Sequence, residues 1–68
     1  MYTLLYVKDD QIISTGSFGT EDAAIRRAKK IQHGLDGTEK EFDINEQNVY
    51  IISSSGRLTR LMISDLDV

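Results

Sequence analysis

Arg26, Arg27, Lys29, Lys30 and His33 bring four of the chain's eight Lys and Arg residues and its one histidine into eight consecutive positions. Cations at that density attract phosphate or carboxylate groups, so the segment is the first candidate for binding a nucleic-acid backbone or an acidic protein. Catalysis finds less to work with. His33 has neither a second histidine nor a cysteine with which to share a transition metal. Ser53, Ser54 and Ser55 lack an assignable base and orienting partner and read as turn residues. The absence of cysteine removes thiolate chemistry and cysteine-ligated zinc. The expectation is a protein without catalytic activity, cofactor or metal.

Two further segments have the outline of a ligand site and fail in detail. Gly16-Ser17-Phe18-Gly19-Thr20 leads into a helix and could cradle a phosphate with backbone N–H groups. It lacks the Gly-Lys-Ser/Thr ending of a P-loop, and Glu21 and Asp22 already place negative charge there. A plain strand-to-helix turn is the better reading. Residues 36–47 form an acidic stretch of calcium-loop length. However, Lys40 takes the fifth position, Glu41 the glycine position and Gln47 the place of the final bidentate glutamate, so a solvated acidic loop is expected.

The elements that must carry these groups follow from local pattern. Tyr2 to Val7 and Ile12 to Ser17 are rich in aromatic, aliphatic and β-branched residues, with Asp9-Asp10 between them, and predict a hairpin. Thr20 can cap a helix starting near Glu21, where Glu21 and Asp22 suit the positive end of the dipole. Ala24, Ala28, Ile31 and, just beyond the end, Leu35 follow helical spacing, which gives a narrow stripe built largely of alanine. Gly34 is placed to stop the helix in the left-handed region, with Lys29, Lys30 and His33 near the negative end. Arg26, Lys29, Lys30 and His33 then lie on the face opposite the alanines, Arg27 at its side, and Asp22 can pair with Arg26. If Arg57 and Arg60 fall on the same side they extend this basic face. No aromatic side chain is interleaved with it, which disfavours single-strand binding by stacking. In residues 36–47 Phe42 and Ile44 are the apolar anchors of an ordered loop or short edge strand. Val49 to Ile52 and Leu58 to Ile63 predict a second hairpin, with Gly56 in its turn. The fold class is α+β: a small antiparallel sheet of about four strands, in the order β-β-α-β-β, with one helix packed on one face.

Alternation along these strands has an unusual consequence. Tyr2, Leu4 and Tyr6 point opposite to Leu5 and Val7; Val49 and Ile51 oppose Tyr50 and Ile52; Leu58 and Met62 oppose Leu61 and Ile63. Both faces are therefore apolar, and one helix about 10 Å across cannot cover a sheet about 19 Å wide. The second face needs the loop carrying Phe42 and Ile44, a second copy of the chain, or another partner. Tyr2, Tyr6 and Tyr50, on the strand faces, join the basic helix residues as candidates for contact.

With 68 residues, 40% of them apolar, the chain supports one core and one domain, residues 1–68, of modest stability. The net charge of −3 argues against coating nucleic acid by bulk electrostatics. The first residues resemble no export leader and no apolar run approaches membrane-spanning length, so a cytoplasmic location without membrane contact is expected. In length and strand-helix-strand layout the chain resembles small proteins of phages and mobile elements, including some anti-CRISPR inhibitors that block a nuclease complex by surface contact. That resemblance covers no diagnostic motif and assigns no functional residue; it implies a protein that acts by obstruction. The expected function is a non-catalytic protein-interaction module that docks on a protein partner or on itself as a homodimer. The alternative is a nucleic-acid-binding or transcription-associated module using the basic helix. A small enzyme would need a pocket shared by two copies.

Overall fold

In the computed structural model, which describes residues 1–67, β1 (Tyr2–Lys8) and β2 (Gln11–Phe18) pair antiparallel through the Asp9-Asp10 turn. Both aspartates have positive φ, 52° and 62°, the mirror-image turn whose twist matches its flanking strands. α1 (Glu21–His33) follows, then a 3₁₀ turn (Leu35–Gly37), an irregular loop, β3 (Val49–Ser53), β4 (Leu58–Leu61) and a second 3₁₀ turn (Ile63–Leu66). The antiparallel sheet is ordered β2-β1-β3-β4, so the strand order of the two hairpins places β1 and β3 in the middle.

Local signals explain the boundaries. The Thr20 hydroxyl accepts from the Ala23 N–H at 3.1 Å and opens α1; Gly34, at φ 60° and ψ 37°, closes it. In the β3–β4 turn the Gly56 N–H bonds the Ser53 carbonyl at 2.9 Å, and Gly56 adopts φ 90°, which a β-carbon would strain. β4 is shorter than its apolar pattern predicts. The strand ends at Leu61 because the Asp65 carboxylate accepts from the Met62 N–H at 2.7 Å, turning Ile63 into the 3₁₀ turn.

One face of the sheet holds the core. Leu4, Tyr6, Val49, Ile51 and Leu61 meet Ala24, Ala28 and Ile31 of α1, Phe42 of the loop and Leu66 of the C-terminal turn. The alanines let the helix lie close, and the loop and turn fill the width it leaves. Phe42 packs on Tyr6 with ring centroids 5.3 Å apart. Gln32, buried on the helix, donates to the Asp43 carboxylate at 3.2 Å and accepts from the Ile44 N–H at 2.8 Å, so one amide ties the loop down twice. Residues 38–48 form an ordered loop, not a strand. No helix among the described residues is long and apolar enough to cross a membrane.

Candidate interaction surfaces

The loop carrying Phe42 and Ile44 packs on the same side as α1, which corrects the expectation that it could shield the second face. That face is bare among the described residues. Strand register sets out its surface: Ile12 pairs with Val7; Ser14, Leu5, Tyr50 and Arg60 form one row; Ser17, Thr3, Ile52 and Leu58 form the next. Leu5, Val7, Tyr50 and Ile52 are half-buried only by their neighbours, while Ile12 and Leu58 remain 72% and 56% exposed. The apolar members form a diagonal band. It starts at Ile12 and Val7 beside the first hairpin turn, crosses Leu5 and Tyr50, and ends at Ile52 and Leu58 beside the second. One flank is Thr3, Ser14 and Ser17, with Thr3 and Ser17 hydroxyls 3.5 Å apart; the other is Arg60, whose guanidinium donates to the Asn48 side-chain carbonyl at 3.0 Å.

The edges of the sheet are treated differently. β2 carries a bulge where Leu4 pairs with Gly16 and Leu5 with Ser14, and the bulged Thr15 donates its hydroxyl to Glu41 of the loop at 2.7 Å. β4 is four residues long. Short or broken edges resist strand addition, so the exposed apolar surface lies on the face of the sheet rather than at its rim.

The cationic side chains of α1 are partly neutralised. Arg26 pairs with Asp22 at 3.4 Å and Lys30 with Asp36 at 3.6 Å, both in solvent, where such pairs contribute little. Lys29 is half-buried. The His33 ring donates through Nε2 to the Leu66 carbonyl at 2.5 Å and anchors the C-terminal turn, while the residue stays exposed. Arg27 forms no ion pair among the described residues and stands between two depressions. One, about 360 Å³, is lined by Asp36, Thr38, Glu39 and Glu41; the other, about 300 Å³, by Phe18, Ala23, Arg26 and Lys30. Phe18 at the end of β2 thus supplies the aromatic neighbour that the helix sequence lacks. Arg60, by contrast, is on the opposite sheet face, and does not extend the helix's basic patch.

The tyrosines are divided by the sheet. Tyr6 is buried against Phe42 and Tyr2 packs, half-buried, at the edge of the same core; Tyr50 stands in the middle of the bare face. The clamp at Gln32 and Asp43 escaped the sequence reading. Its signal was available, because Gln32 continues the spacing of Ala24 and Ala28 and puts an amide on the apolar stripe. The Asp43 carboxyl is held below the ordinary carboxylate range, first by the Asn45 N–H at 3.0 Å and then by the Gln32 amide; desolvation opposes them, and Lys40 at 3.6 Å adds a lesser lowering effect. No protein-family model, curated protein or solved structure matches this chain.

Proposed function

We propose that the protein is a non-catalytic interaction module that docks on another protein through the bare face of its sheet. The supporting observation is that face itself: six apolar side chains in register, none covered, on a molecule whose sheet edges are blunted. The largest apolar patch on a protein is often its functional contact surface. Blocking a larger partner by occupying its surface, as small phage and mobile-element inhibitors do, is a mode that needs no more machinery than this. A cytoplasmic setting belongs to the same proposal, since a chain without cysteine depends on no oxidising compartment.

The test is retention of a binding protein by three forms of the chain: unaltered, Ile12→Glu with Leu58→Glu, and Arg27→Glu with Lys30→Glu. Loss on the sheet-face variant alone, with binding stable to high salt, supports the reading. Loss on the helix variant alone contradicts it. A second reading, nucleic-acid binding at α1, is favoured by one observation: Phe18 lies among Arg26, Arg27 and Lys30, so a base could stack while phosphates meet the cations. Binding of a single-stranded oligonucleotide that falls steeply with salt and is lost in Phe18→Ala would support that reading instead.

A further inference from the structure

Resting on the docking reading, we infer that an occupant of the bare face is a second copy of this chain, packed face to face about a two-fold axis that runs along the apolar band. Four features of the face point to self-association.

First, the band can lie on itself. It runs from one hairpin turn to the other through Ile12, Val7, Leu5, Tyr50, Ile52 and Leu58, so an axis along it lays the apolar band on its own copy. Second, the two flanks are complementary. That axis exchanges them, setting the guanidinium of Arg60 over Thr3 in the partner's hydroxyl flank, where a hydroxyl oxygen accepts its N–H groups. The other in-plane axis, across the band, sets each flank on its own kind and brings the two Arg60 side chains together, which charge disfavours. Third, Arg60 is the one charged residue in the paired rows of this face, so a chain of net charge −3 can meet its copy here without placing like charges in the contact. Fourth, the contact is small. Strands about 4.8 Å apart, over three rows about 7 Å apart, span roughly 400 Å² per copy, about half of a standard interface. A weak, concentration-dependent dimer follows rather than an obligate one.

The test is sedimentation velocity on the full chain from about 1 µM to about 1 mM, a range that brackets weak association. The expected result is a monomer at the low end and a dimer at the high end. Ile12→Glu and Leu58→Glu, at positions already exposed, each weaken dimerisation about tenfold or more. Thr3→Arg, which sets an arginine over the partner's Arg60, weakens it as well, and adding Arg60→Asp to that variant restores it, because the exchanged flanks then pair opposite charges. Failure of restoration, with the Glu variants still monomeric, overturns the axis. A monomer at every concentration overturns the second copy as occupant while the partner-retention experiment continues to judge the docking reading. A dimer indifferent to Ile12→Glu and Leu58→Glu overturns the assignment of self-contact to this face.

Discussion

Leu4 and Leu5 are neighbours in one central strand and meet different fates. Leu4 is sealed beneath α1, whereas Leu5 sits in the diagonal apolar band with nothing over it. The same contrast divides Ile51 from Ile52 and Leu61 from Leu58. One face is closed by three separate pieces of chain: a helix with an alanine stripe, a loop inserting Phe42, and a C-terminal turn inserting Leu66. Nothing in alternation alone distinguishes the two faces. What separates them is where those three pieces land, and all land on the same side. The fold therefore concentrates its packing energy on one face and leaves the other for contact.

The sharpest break of this contrast is to unseal the closed face. Phe42→Ala removes the ring that covers Tyr6 and is expected to cost about 3–5 kcal/mol in urea unfolding, close to the whole stability of so short a chain. Gln32→Ala leaves the Ile44 N–H without its partner and removes one of the donors to the Asp43 carboxylate, at an expected cost of about 1–3 kcal/mol. Hydrogen exchange at Ile44 should report that loosening before the sheet opens.

Acidification probes the same clamp. Because the Asp43 carboxyl is lowered in the fold, its contribution to stability is fully present above the ordinary aspartate pKa of 3.8 and is lost as the pH falls through the lower folded value. Unaltered protein should therefore lose loop protection below that range, while Asp43→Asn, which keeps an acceptor but does not titrate, should show a flatter profile. The smallest effect belongs to the open face. Ile12→Ser and Leu58→Ser, measured in dilute solution, should change stability by no more than about 0.5 kcal/mol. A loss comparable to that of Phe42→Ala would mean that the open face is packed after all.

Signals confined to a few residues were legible in the sequence. Thr20 and Gly34 bracket the helix, Gly56 marks a turn, and strand alternation set Leu58 apart from Leu61. Contacts over long separations were not. Leu66 lies alone between two aspartates and has no periodicity to announce its burial, and the bond from its carbonyl to His33 spans 33 positions. The same is true of Phe18, whose place beside Arg26 and Lys30 depends on how α1 crosses β2. Alternation put Arg60 on the side of Leu58, but which side the helix would choose depended on packing, and with it whether Arg60 joined the basic patch.

Solvent paramagnetic relaxation of the methyl groups, with an inert gadolinium chelate in dilute solution, tests the bare face most directly. Methyls of Ile12, Leu5, Ile52 and Leu58 are predicted to relax several-fold faster than those of Leu4, Ile51 and Leu66, and to become protected as protein concentration rises. Equal protection of both sets in the dilute monomer would contradict the account, because the second face would then already have its cover.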